Sequence, residues 1–166
     1  TGSANCFIGA NAGFGSASIT GANNVAIGQA ALYDISTGNN NVAIGQSSFA
    51  DITTQSGVTA VGSYAGQYHT GSEGTFIGYF AGRGVASSSN GAYNVAVGRY
   101  SALGITTAAY STILGASACA NGALSASYTV AVGYGAGYNL TSGNDNTIVG
   151  TEAGLGLTTG TGSVVM

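Results

Sequence analysis

The chain has 166 residues, of which 107 are Gly, Ala, Ser, Thr or Asn; only seven are charged, five acids and two arginines, and the net charge is −3. So few cations exclude a nucleic-acid binder, which needs clustered positive charge to meet phosphates. Low charge together with 45% apolar residues excludes a disordered chain, and the wealth of Gly, Ser, Thr and Asn argues against a helical bundle.

In chain order, nine apolar triplets each run into a glycine. They read CFIG at Gly9, VAIG at Gly28, VAIG at Gly45, TAVG at Gly62, TFIG at Gly78, VAVG at Gly98, TILG at Gly115, VAVG at Gly133 and TIVG at Gly150. Successive glycines lie 19, 17, 17, 16, 20, 17, 18 and 17 residues apart, and a tenth copy begins at Ser163-Val164-Val165. The residue before the Gly is always Ile, Val or Leu, and the residue three after it is always Ala or Ser. Asn stands four before it at Asn5, Asn24, Asn41, Asn94 and Asn146. Length varies only in the polar, Gly-rich stretches between triplets, where insertions in repeat proteins map to loops.

Each copy predicts a short strand through the triplet, a tight step at small residues, a second short extended piece and a turn. One copy of about 17 residues cannot bury its own apolar face, so copies must stack, strand upon strand, at ~4.8 Å. The predicted fold is all-β: a parallel β-helix or β-roll solenoid of nine to ten coils, one repeat domain over residues 1–166, roughly 40 Å long. The absence of Pro agrees, because Pro cannot donate to a continuing ladder. The repeat opens and closes in mid-phase, which leads us to expect either a segment of a longer fibre or subunits stacking end to end.

The triplets are apolar on both faces of a strand whose side chains alternate. One face fills its own coil, and the other needs a cover. A second copy is the simplest cover, so a homo-oligomer, foremost a trimer, is expected. The column expected near its interface is Phe7, Ala26, Ala43, Ala60, Phe76, Ala96, Ile113, Ala131 and Ile148. A flattened solenoid whose two sheets sandwich a core is the alternative.

Chemistry has little to work with. His69, the single imidazole, sits in the polar stretch QYHTGSEG and reads as a solvated loop residue. The acids Asp34, Asp51, Glu73, Asp145 and Glu152 are scattered over different coils, with no metal-ligand spacing, and there is no Gly-x-Ser-x-Gly or Gly-x-Gly-x-x-Gly. No catalytic residue, metal or other cofactor is expected, and the chain reads as a non-enzyme. Cys6 and Cys119 read as small apolar fillers, six coils or roughly 29 Å apart at ladder spacing, beyond the reach of a disulfide. Aromatic residues are the more informative signal. Tyr93, Tyr110 and Tyr128 lie five before their glycines in consecutive copies and predict a stacked ladder. Tyr64, Tyr79, Phe80, Tyr100 and Tyr134 fall one or two after theirs, and Tyr64, Tyr79, Tyr100 and Tyr134 form a candidate recognition surface for a protein or glycan. Thr59, Thr75, Thr112 and Thr147 share the column three before the Gly with Val, a mixture that reads as an inward position and weakens an ice-binding reading.

Segments such as TGNNNVAIGQSSF, NNVAIGQAALYDISTGNN and YNVAVGRYSAL resemble repeats of bacteriophage tail-fibre proteins and the head repeats of YadA-like trimeric autotransporter adhesins. The resemblance runs from Asn5 to Val165, with a repeat longer than the autotransporter pattern. It implies a trimeric β-roll serving as fibre shaft or adhesive head, on a virion tail or cell surface, with itself and a host-surface glycan or protein as partners. A self-assembling extracellular filament is the alternative. No membrane span and no nucleic-acid partner are expected.

Overall fold

A computed structural model describes residues 2–15, 18–86 and 88–166; Thr1, Ser16, Ala17 and Ser87 of the repeat domain lie outside the described residues. Ten strands, β1(Cys6–Ile8), β2(Val25–Ile27), β3(Val42–Ile44), β4(Thr59–Val61), β5(Thr75–Ile77), β6(Val95–Val97), β7(Thr112–Leu114), β8(Val130–Val132), β9(Thr147–Val149) and β10(Val164–Val165), pair in sequence order into one parallel sheet. Register is strict: Phe7 pairs with Ala26, Ala26 with Ala43, Ala43 with Ala60, and so on to Ile148 with Val165. The protein is an all-β parallel solenoid of about nine turns, and nine steps of ~4.8 Å make the sheet roughly 43 Å long. Among the described residues the second extended piece pairs only as isolated bridges in three coils, Gly84 to Ile105 and Ile105 to Leu124.

The glycine that ends each triplet has φ between +128° and +138°, outside what an L side chain adopts comfortably. A Cβ on Gly28 would lie 2.7 Å from the carbonyl of Gly45 in the next coil. The chain turns there, and the residue three on donates its N–H back to the glycine, as Ala31 does to Gly28 at 3.3 Å. That residue points inward at a crowded corner. Ala31, Ala65, Ala81, Ala118 and Ala136 are fully buried, while Ser48 and Ser101 donate their hydroxyls to the carbonyls of Ala60 and Ile113 at 2.9 Å. Ala or Ser is therefore what fits.

The middle residue of each triplet also faces the coil interior. Ala26, Ala43, Ala60, Phe76, Ala96, Ile113, Ala131 and Ile148 are fully buried within the single chain, and Phe7 is partly buried at the first coil. This corrects the expectation that the column lies at an oligomer interface: it is the core. Its mixture of Phe and Ala has a physical cause in the residue six positions later, four after the Gly. Where the triplet carries Phe76, that residue is Gly82, whose added Cβ would sit 2.0 Å from the ring. Phe7 faces Gly13 and Ile148 faces Gly154 in the same way. Where the triplet carries Ala26 or Ala43, the partner is Leu32 or Phe49, each fully buried. Large meets small in these five coils, whereas Ala60 with Gly66, Ala96 with Ala102 and Ala131 with Gly137 pair small with small. At Gly66 neighbouring coils fill the room, since an added Cβ would lie 2.9 Å from Phe76 and 3.2 Å from Phe49.

Buried amides close the strand entries. Asn24 Nδ2 donates to Asn5 Oδ1 at 3.1 Å and to the Gly38 carbonyl at 2.9 Å. Asn41 does the same to Asn24 Oδ1 at 3.1 Å and to the Gln55 carbonyl at 2.8 Å. The ladder then hands over to the Val58 N–H, which donates to Asn41 Oδ1 at 3.0 Å.

Candidate interaction surfaces

The first and third residues of each triplet point outward. Val25, Val42, Thr59, Thr75, Val95, Thr112, Val130 and Thr147 make one column, and a second beside it runs Ile27, Ile44, Val61, Ile77, Val97, Leu114, Val132 and Val149; all are half-buried or exposed. Ile8, Ile44, Ile77 and Val149 are exposed by 57, 37, 40 and 41%. The four threonines thus stand on the outer face, which corrects their inward reading. The face is a regular two-column stripe of mostly β-branched side chains along the full sheet. At about 7 Å between outward residues of one strand and roughly 43 Å along the sheet, it covers about 300 Å², the size of the largest patch on a typical monomer.

A second surface lies where the chain rounds the corner after β4, β5 and β6. Tyr64 stacks on Phe80 at 4.8 Å, Phe80 meets Tyr79 edge-on at 4.4 Å, and Tyr100 lies 5.6 Å from Tyr79 and 5.8 Å from Phe80. Arg83 lies over both Tyr68 and Phe80, at 5.2 and 5.0 Å, and Arg99 lies over Tyr100 at 4.1 Å. Tyr64, Tyr68, Phe80 and Tyr100 all have left-handed backbone, φ from +58° to +62°. In the column two after the Gly, other coils place Asn11, Ser47 or Gly135 in that conformation. A bulky aromatic there costs ~1 kcal/mol each, and ring stacking offsets it by a similar amount. The structure therefore joins Tyr64, Tyr79 and Tyr100 but leaves Tyr134 apart. Tyr134 is 58% exposed and, with Ser117, Tyr138, Glu152 and Leu155, lines a separate hollow of about 230 Å³. Sequence reasoning left out Arg83, Arg99 and Tyr68. The signal was present, since both arginines of the chain fall between Tyr64 and Tyr100.

Tyr93, Tyr110 and Tyr128 stack on consecutive coils, with ring centroids 4.9 and 5.3 Å apart and planes 12° and 2° from parallel. Each side chain is about half exposed, but the ring faces between neighbours are spent on one another. A sugar ring laid flat has no free face on Tyr110.

His69 is not a solvated loop residue. It is fully buried, edge-on to Phe76 at 4.6 Å, and neither ring nitrogen has a hydrogen-bond partner. It occupies the position seven after its glycine, where Ile35, Ile52, Ile105 and Leu140 stand in other coils. Burial lowers its pKa to about 4, with the Gly91 backbone pulling weakly the other way. Cys119 is buried and its thiol is pushed up to about 12 by burial, while Cys6 is exposed on the outer face; both are free thiols. Among the described residues no group of three or more His, Cys, Asp or Glu is placed to hold a metal ion, and no helix is long and apolar enough to cross a membrane.

The site and fold define a parallel β-solenoid with an apolar outer sheet face and one aromatic, cationic corner. Compared with known proteins, the chain matches no family model, no curated protein and no solved structure.

Proposed function

We propose that the chain is a non-catalytic structural and adhesive fibre segment, of a phage tail fibre or a bacterial surface adhesin, that works outside the cell as a homotrimer joined through the outer face of its sheet. The observation that carries this reading is the unbroken outward apolar column from Ile8 to Val149, flanked along the sheet by a column of Val and Thr. A regular apolar column along a sheet face is costly to leave in water, and patches of this kind are often functional surfaces. Its register favours identical partners, because every coil offers the same two side-chain types at the same height. The resemblance of the repeats to trimeric adhesin heads and tail fibres supports three copies. Multi-angle light scattering of the purified protein should give the mass of three chains. The double variant Ile44→Lys, Ile77→Lys should give single chains with an unchanged circular dichroism spectrum. A wild-type monomer at micromolar concentration would overturn the reading.

A second reading gains from the outward threonines. A flat sheet face carrying Thr59, Thr75, Thr112 and Thr147 among valines at one fixed spacing is a surface that could order water and bind ice. Thermal hysteresis by the wild-type protein, lost on Thr75→Lys, would favour it over the fibre; freezing indistinguishable from a buffer control would remove it.

A further inference from the structure

We infer that the corner formed by coils four to six is a binding site for a carboxylate-bearing saccharide, an inference that rests on the adhesive reading and names its ligand class. The argument begins with scarcity. The chain has two arginines in 166 residues, and both lie over rings of the cluster around Phe80, not over the Tyr93–Tyr110–Tyr128 ladder. Going from one to the other, Arg83 to Phe80 is 5.0 Å, Phe80 to Tyr100 is 5.8 Å and Tyr100 to Arg99 is 4.1 Å.

Arg83 is held in place. Its Nε donates to Gln67 Oε1 at 3.1 Å, and Gln67 Nε2 in turn donates to Asp51 Oδ2 at 3.0 Å. Gln67 is buried, so the relay fixes the guanidinium from behind while the two Nη groups remain for a ligand. Arg99 is exposed, and its Nη2 donates to the Tyr100 hydroxyl at 3.2 Å. Beside Arg83 opens a hollow of about 350 Å³, walled by Tyr68, Val85, Ala86 and Leu103. Its size and apolar wall suit a sugar ring. Tyr79, 44% exposed, offers an aromatic surface for a second ring.

These groups select the ligand. A planar guanidinium fork matches a carboxylate bidentately, and aromatic faces take the C–H faces of pyranoses. Two cations in a chain of net charge −3 suit spaced, singly charged acids; a dense polyphosphate would meet the repulsion of the acids, Asp51 among them.

The test uses the whole chain in biolayer interferometry, with immobilised polygalacturonate, neutral dextran and dextran sulfate as probes. Binding to polygalacturonate and not to dextran is expected, falling as salt rises. Arg83→Gln and Arg99→Gln should each weaken it ~10-fold or more. Thr151→Ala, exposed three coils away, should leave it unchanged. Equal binding to dextran, preference for dextran sulfate, wild-type affinity in both Gln variants, or no binding to polygalacturonate would each overturn the inference. Because Arg99 is exposed, its variant keeps the fold and remains informative if Arg83→Gln unfolds. Light scattering on the same samples reads the trimer separately, so loss of the glycan site and loss of the fibre reading are distinguishable.

Discussion

Replacing His69 with Leu should stabilise the protein, and by more as the pH falls. In the wild type the neutral imidazole brings two polar nitrogens into the core, and neither finds a partner. An orphaned buried polar group costs about 1–3 kcal/mol, and Leu, the residue at Leu140 in the equivalent position, removes the cost while filling similar volume. The pH dependence follows from the lowered pKa. The folded value of about 4 lies below the ordinary 6.5, so the unfolded chain takes up the proton first. The stabilising contribution of the neutral imidazole is complete above pH 6.5 and is lost as pH falls toward 4. A difference of about 2.5 pH units corresponds to about 3 kcal/mol in all, most of it lost by about pH 4.5. The other titrating groups are common to both proteins and cancel in the comparison. Urea unfolding at about pH 7.5 and 4.5, at one fixed protein concentration, measures both effects. His69→Leu should gain 1–3 kcal/mol at the higher pH, and the gap should widen by about 2–3 kcal/mol at the lower. A variant less stable than wild type at pH 7.5, or equal acid losses in the two proteins, would refute the placement of this imidazole in the core.

Three further outcomes test the packing. Gly82→Ala should cost about 2–4 kcal/mol by thermal unfolding, since its Cβ would lie 2.0 Å from the Phe76 ring in left-handed backbone; a loss under 0.5 kcal/mol would mean the pairing of large with small is not required. Tyr110→Ala should cost about 1–2 kcal/mol through two lost ring stacks, whereas Tyr134→Ala, outside the ladder, should cost less than ~0.5 kcal/mol in the same assay. Alkylation with iodoacetamide at pH 8, read by peptide mass spectrometry, should modify Cys6 in the native monomeric Lys variant and spare Cys119 until urea unfolds the chain; early modification of Cys119 would contradict its burial and raised pKa.

The architecture was legible because stacking imposes itself on composition. A glycine whose added Cβ would strike the next coil must recur once per coil, as must an Ala or Ser at the inward corner. The nine triplets and the ten strands coincide for this reason. Which face of each strand turns inward was less legible. Both faces of each triplet are apolar, so alternation alone does not say whether the middle column, which mixes Phe7 and Phe76 with five alanines and two isoleucines, or the flanking columns fill the coil. Size is balanced within the pair in some coils, as in Phe76 with Gly82, Ala43 with Phe49 and Ile148 with Gly154, and between coils in others, as where Phe49 and Phe76 crowd Gly66 beside Ala60. That complementarity at a spacing of six was written in the sequence, but it appears only when two columns are read together. The outward columns misled for the opposite reason. Val and Thr alternate there freely because both are β-branched and suit a half-buried pleated surface.

His69 and the acids show what a repeat can hide. QYHTGSEG looks like a polar loop, yet its His occupies a place that Ile or Leu fills in four other coils. Column position outranks local composition in a solenoid, since the coil fixes which residues turn inward whatever their polarity. The same rule governs charge. Asp34 and Asp51 stand on neighbouring coils, and burial, then the charge of Asp51, raise the Asp34 carboxyl above its ordinary range. One coil further the column changes to Tyr68, and Gln67, one position earlier, joins Asp51 to Arg83, so a third acid is not stacked on the first two and the contacts form an oriented relay. A rod built to repeat tolerates few such departures. Where they gather, at coils four to six with both arginines and five aromatic rings, the sequence has given up regularity that the fold alone rewards. In the column two after the Gly, other coils reach the same left-handed backbone with Asn11, Ala30, Ser47, Ser117 and Glu152, so the backbone does not itself call for rings at Tyr64, Phe80 and Tyr100, and the proposed saccharide site gives them a use.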